Sequence, residues 1–226
     1  MKKKNRWVIG ILILICISCG ILKVKKSIDS TFDLTSNIPL SSEKELKDNL
    51  LKNELKILEL KKYYNAITPK DYEAYLEFKE NNHIDLCVLK ISNKSETKIC
   101  LFQEWDIDPY NYKHNSMSDI PAPPNSPKKL KFEEITTLLN WNTNTFKKIK
   151  EYLDKATCIS ITNGEPTNIG YKRSGMGEYF YNIFDNSIDK DKVKFYNDSC
   201  KYRLYNEKIV LEYGGGAIGS QCFPGN

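Results

Sequence analysis

Residues 72–105 read YEAYLEFKENNHIDLCVLKISNKSETKICLFQEW, and their reading decides the fold class. Tyr72, Ala74, Leu76 and Phe78 recur at every second residue, the period of a strand with one buried face. Asn81-Asn82 suits a tight turn, 83–91 gives a second strand, Asn93-Lys94 turns the chain again, and 96–105 gives a third. If both turns hold two residues, Leu76 faces Cys87 and Cys87 faces Cys100, Leu86 meets Leu101, Val88 meets Ile99, and His83 lies opposite Glu104. One face then collects Ala74, Leu76, Phe78, Cys87, Leu89, Cys100 and Phe102 as a core face. A helix over 69–80, with Thr68 as cap and Pro69 as its first residue, is the competing reading.

Before this meander, 42–64 reads as a helix. Ser42 is the cap, Glu45 stands three residues on as in a capping box, and Leu46, Leu50, Leu51, Leu55 and Leu58 form an apolar stripe. A coiled-coil stalk is the alternative use of that stripe. After the meander, Pro121, Pro123, Pro124 and Pro127 mark an extended connector. Phe132, Ile135, Leu138 and Leu139 then indicate a short helix, and Phe146, Ile149, Tyr152 and Leu153 a second. Strands follow at 157–161, 168–172, 178–184, 201–205 and 208–213, the last two joined as a hairpin across Asn206-Glu207. Helices grouped between two runs of antiparallel strands make an α+β fold. The expected organisation is a leader at 1–26, a linker at 27–42, a helix and three-stranded meander at 43–105, a proline-rich connector at 106–128, and an α+β region at 129–226. The break near 106–128 divides either two subdomains or two halves of one sheet.

Residues 7–22 read WVIGILILICISCGIL, uncharged and flanked by cations on both sides. Such a segment is an export or anchoring leader, short for a relaxed membrane span. The positive-inside rule places Lys2–Arg6 in the cytoplasm and the rest of the chain across the membrane. Three fates fit the residues: lipidation of Cys19 after a lipobox-like Cys16-Ile17-Ser18, cleavage after Gly20, or retention as an anchor.

The net charge of +5 belongs to this leader. It holds seven of the 34 basic residues and no acid, which leaves 27 Lys+Arg against 29 Asp+Glu, a net of −2, in the remainder. A nucleic-acid partner requires an excess of cations to displace counterions, so none is expected.

Five cysteines lie beyond the leader: Cys87, Cys100, Cys158, Cys200 and Cys222. The expected register sets Cys87 beside Cys100 at disulfide distance, as a bonded pair or as two packed thiols. For the other three, spacing selects no pairing. His83 and His114 are the only histidines, and no C-x-x-C or H-x-x-x-H occurs beyond the leader, so no metal site is expected. Neither histidine has an evident nucleophile, no catalytic residue is assigned, and no cofactor fingerprint is present.

Two glycine-rich stretches are the candidate ligand site. Arg173, Ser174, Gly175 and Gly177 join two expected strands, and Gly214, Gly215 and Gly216 follow the last one. Consecutive glycines permit an anion-binding nest of N–H groups, and an arginine adds a bidentate contact, although strand-joining turns also use glycine for steric reasons alone. Trp105, Tyr110 and Tyr112, with Tyr179, Phe180 and Tyr181, suit either a protein or glycan surface or the inner face of a strand.

The leader, the Lys/Asn/Ile/Tyr-heavy composition and the α+β pattern resemble, as a class, envelope lipoproteins and small membrane-anchored proteins of low-GC bacteria. The resemblance implies an envelope location and singles out Cys19 as a lipid acceptor. The expected function is a non-catalytic domain binding an envelope protein or glycan, tethered through 7–22 or a lipid on Cys19. A hydrolase-like enzyme with Arg173 as anion binder and Glu178 as acid or base is the rival. A small-ligand sensor, with a cavity between the sheet and the helices at 132–153, is the third class.

Overall fold

A computed structural model describes residues 41–79, 81–91, 98–113, 130–175, 177–215, 219 and 221–224. The leader, Cys19, His114, the proline stretch and Gly216 lie outside these residues. Among the described residues no helix is long and apolar enough to cross a membrane.

The architecture is α+β: helices against an eight-stranded antiparallel sheet. In chain order the elements are α1 (Glu43–Ile67), β1 (Tyr72–Phe78), β2 (Ile84–Ile91), β3 (Lys98–Ile107), α2 (Phe132–Leu139), α3 (Thr143–Ala156), β4 (Ser160–Thr162), β5 (Thr167–Ser174), β6 (Gly177–Ile183), α4 (Lys190–Val193), β7 (Tyr202–Leu204) and β8 (Ile209–Gly214). The strand order is β3-β2-β1-β4-β5-β6-β8-β7. The chain crosses over through α2 and α3 to set β4 against β1, so one sheet runs through both halves of the chain.

The helices cover one face. Tyr181 donates to the carbonyl of Leu46, Tyr64 to that of Ala74, and the Trp141 indole to that of Ile67. These bonds let large aromatics be buried without stranding their polar ends. Where a sensor would need a cavity, the rings stack: Phe132 lies 6.0 Å from both Phe102 and Phe146, and Tyr112 4.5 Å from Phe132.

Two expected registers are corrected. Lys79 N–H donates to the His83 carbonyl and Asn82 takes a left-handed φ of 63°, so three residues intervene between β1 and β2 rather than two. Leu76 therefore faces Leu86, and Tyr75 faces Cys87. A one-residue slip turns a strand over, so Ile84, Leu86 and Val88 enter the core in place of Cys87 and Leu89. Between β2 and β3 the paired ends are Ile91 and Lys98, with six residues between them, and a bulge follows Val88. Cys87 then faces Gln103 and Cys100 faces Leu89, which displaces the two cysteines along the ladder and leaves the Cys87–Cys100 disulfide unmade. Among the described residues the disulfide is Cys200–Cys222. His83 Nδ1 stands 3.4 Å from Asp106 Oδ1 rather than beside Glu104, while Glu104 accepts from the Tyr112 hydroxyl.

The stripe on α1 is corrected as well. Ser42 caps the helix, and Leu46 and Leu50 are buried, but the Glu45 carboxylate takes the Ser41 hydroxyl rather than closing a box on Ser42. The buried line then runs through Asn49, Asn53, Ile57, Leu60 and Tyr64. Asn49 donates to the last helical carbonyl of α3, Ala156, and to Tyr181, and Asn53 donates to Asn49. Two asparagines thus occupy core-facing positions because they satisfy a helix end. Leu51, Leu55 and Leu58 stand on the opposite side, 68%, 77% and 39% exposed.

Candidate functional site: a carboxylate cluster on the outer sheet face

Strand alternation sends Tyr75 and Glu77 of β1, Ser160 of β4 and Glu178 of β6 to the face turned away from α1–α3. β5 brings Arg173 opposite Glu178 and Gly170 opposite Phe180, with a bulge between Gly170 and Lys172. Neighbouring strands lie about 4.8 Å apart, so these side chains converge over the middle of the sheet.

The Arg173 guanidinium grips Glu77 with two hydrogen bonds, Nε to Oε1 at 2.8 Å and Nη2 to Oε2 at 2.5 Å. Tyr75 donates to the same Oε2 at 2.5 Å. Glu77 is buried, while the Arg173 side chain keeps 40% of its surface in solvent. Burial opposes the charge on Arg173, and the Glu77 carboxylate more than offsets it, so the guanidinium is held above its ordinary range.

Glu178 has no such cation of its own. Its Oε1 accepts from Ser160 Oγ at 2.7 Å. It lies directly over Gly170: a Cβ at that glycine would stand 1.8 Å from Glu178 Oε1 and 2.0 Å from Ser160 Oγ. Burial first, and the charge of Glu77 second, push the Glu178 carboxyl up to about 8, against the lowering effect of Ser160 and Arg173. Nearby, burial and then Glu178 raise the Cys158 thiol and the Tyr75 hydroxyl. The arrangement therefore contains one carboxylate neutralised by an arginine and one carboxyl that retains its proton at neutral pH. Two such groups side by side are the raw material of acid–base chemistry or of a charge-balanced binding surface.

The two glycine-rich stretches meet here, because β6 pairs with β8 and places Gly214 opposite Glu178. The candidate residues are already engaged within the fold. Ser174 Oγ donates to the Ser41 carbonyl at 3.0 Å and accepts from its N–H at 3.2 Å, latching the entry to α1. Gly177 leaves room for the Tyr213 ring, 3.0 Å from where a Cβ would stand, and Tyr213 donates to the Ser174 carbonyl. Gly175 adopts φ 63° in the β5–β6 turn, and Gly215 N–H closes a turn onto Gly219. Arg173 offers its fork to Glu77, the partner an external anion would have to displace.

Of the aromatic set, Tyr179 and Tyr181 are buried under the helices and Phe180 is half-buried on the outer face. Trp105 and Tyr110 are exposed. Towards the β7 edge, Asn168, Asn182, Glu212 and Lys201 continue the outer face as a chain of polar contacts across the strands. Among the described residues no group of three or more His, Cys, Asp or Glu is arranged to hold a metal ion.

Sequence reading reached Arg173 and Glu178 and missed Tyr75, Glu77, Ser160 and Gly170. Glu77 occupies an ordinary polar position of an alternating strand, which carries no warning of burial. Gly170 did carry a signal: an isolated glycine inside a strand marks a place where another group approaches the backbone. No protein-family model matches this chain, and neither does any curated protein or any solved structure.

Proposed function

We propose that this chain is a membrane-tethered domain displayed on the extracytoplasmic side, where the outer face of its sheet binds another envelope protein or a glycan. The tether is the uncharged stretch 7–22 or a lipid on Cys19. The Cys200–Cys222 disulfide supports that side of the membrane, since such bonds persist in oxidising compartments. The observation that carries the binding reading is the bidentate Arg173–Glu77 pair. It commits the strongest charged groups of the face to one another, so the face is a preformed polar platform edged by Phe180 and Tyr75.

A photo-crosslinking amino acid placed at Tyr75 or Phe180 in intact cells is expected to trap an envelope component, whereas one at Glu151 on exposed α3 traps nothing. Equal trapping from both sides, or none, removes this reading. Protease added to intact cells is expected to cleave the domain, and protection from it removes the location.

A second reading is favoured by one arrangement, the buried Glu178 carboxyl set opposite Arg173 and raised to about 8 by its burial. In it the chain is a hydrolase-like envelope enzyme with Glu178 as general acid. Glu178→Gln separates the two: trapping at Phe180 survives if the face only binds, and bound material accumulates uncleaved if Glu178 reacts.

A further inference from the structure

Leu55 and Leu58 follow one another at helical spacing on the solvent side of α1, and Leu51 precedes them across the kink at Asn53; the three are 77%, 39% and 68% exposed. Their exposure is costly to leave in water, and a contiguous apolar patch of this kind marks a contact surface. The same line continues to Lys44 and Asp48 on one side and to Lys62 on the other. Lys44 and Asp48 pair with each other at 2.5 Å, so the patch ends in a closed ion pair and is three leucines long.

That length argues against a second copy of the chain. A coiled-coil seam needs three or four heptads of apolar positions, and this one stops after three residues. Three leucines fall short of the roughly 1,000 Å² of total buried area that a stable interface requires. A lipid surface sets no such threshold once the helix is tied to it. Only residues 23–40 separate the uncharged stretch from Ser41, where the described domain begins one residue before the α1 cap. Eighteen residues span at most about 65 Å in any conformation, and α1 itself is about 37 Å long. The patch is therefore held at a high effective concentration next to the bilayer.

We infer that α1 docks side-on to the membrane that tethers it, with Leu51, Leu55 and Leu58 in the headgroup–acyl boundary. The inference rests on the tether proposed above. Lys44, Lys47 and Lys62 border the patch and lift their charged ends to headgroup level along apolar stems. Lys44 pairs with Asp48 and Lys47 with Glu43, so those two cations are balanced and the contact is apolar in character. Zwitterionic lipid suffices for it.

The test uses the full chain reconstituted in phosphatidylcholine vesicles whose acyl chains are brominated near the headgroup. Leu55→Trp adds a fluorophore at the centre of the patch, and Glu151→Trp adds one on α3 as a control. Subtracting the wild-type emission isolates each. The expected result is loss of most of the emission added at position 55, little loss at 151, and no change as lipid is added at fixed protein. Full emission at position 55 in a chain that floats with the vesicles overturns the docking and leaves the tether standing. A chain that does not float overturns both. Emission that recovers on dilution with lipid, with crosslinked dimers through the patch, assigns the surface to a second copy instead.

Discussion

The two faces of the sheet are stabilised by different physics. Under the helices Leu76, Ile161, Ile169 and Tyr181 stand abreast on four neighbouring strands, each essentially without solvent contact. One residue further along β1, β4 and β5, Glu77, Ser160 and Gly170 occupy the same ladder on the other face. The first row gains free energy by leaving water. The second row is nearly as buried, but there each charge must be matched by a partner or neutralised by a proton. The inner face should therefore fail by volume and the outer face by pH.

The largest effect is expected on the inner face. Leu76→Ala removes three carbons from a fully buried site between Leu86 and Ile161, and should cost about 3–5 kcal/mol in denaturant unfolding. A loss under about 1 kcal/mol would mean that the helical layer collapses around the gap, and that the core is looser than its ring stacking implies.

On the outer face the corresponding prediction is a slope with pH. The Glu178 carboxyl is raised from its ordinary 4.5 to about 8 in the fold, so between these values the folded protein holds a proton that the unfolded chain has released. Its contribution to stability is thus complete below pH 4.5, is lost as the pH rises towards 8, and stays lost above it. Over that window the loss is on the order of a few kcal/mol. Glu178→Gln keeps an acceptor for Ser160 without the titrating proton. It should flatten the slope and leave the variant more stable than wild type at alkaline pH, read from melting midpoints across the range. An undiminished slope in the variant would place the responsible group elsewhere.

These faces were unequally legible in the sequence. The existence of the strands follows from two-residue alternation, and the β5–β6 hairpin falls where Gly175 puts it, whereas the β7–β8 turn holds three residues, 206–208, and slips that register by one. The register of β2 was not legible, because it turned on whether the Asn81-Asn82 turn contains two residues or three, which no alternation pattern records. A left-handed Asn82 decided it and reversed the inner and outer sets of β2, while the separate offset of β2 against β3 keeps Cys87 and Cys100 from facing each other. The outer cluster was half legible. Arg173 and Glu178 drew attention through their glycine-rich turn, but Glu77 is 96 residues from Arg173 in sequence and only the sheet order brings them together. The leucines of α1 misled because two apolar lines share one helix, and the buried one passes through Asn49 and Asn53.

Polar atoms on the inner face give a smaller effect, and they test whether the contrast between the faces is one of degree. The Tyr181 hydroxyl donates to the Leu46 carbonyl at 2.8 Å and accepts from Asn49 at 3.1 Å. Tyr181→Phe keeps the ring and removes one hydrogen bond from each partner, so it should cost about 1 kcal/mol, with no dependence on pH between 5 and 8. A pH-dependent loss would show that the Asn49–Tyr181 contact communicates with Glu178 through the sheet, and the two faces would then be one electrostatic unit.

The smallest effect should come from the surface that belongs to neither face. Leu55 is the most exposed leucine of the α1 patch, and Leu55→Ser removes apolar area that the isolated fold does not bury. Its unfolding free energy in the absence of lipid should move by no more than about 0.5 kcal/mol. In membranes the same substitution should weaken the docking of α1 while leaving the fold untouched. A loss of 2 kcal/mol or more without lipid, of the order expected for a buried side chain, would instead mean that Leu55 packs against protein, and that the helix has no free side to offer the bilayer.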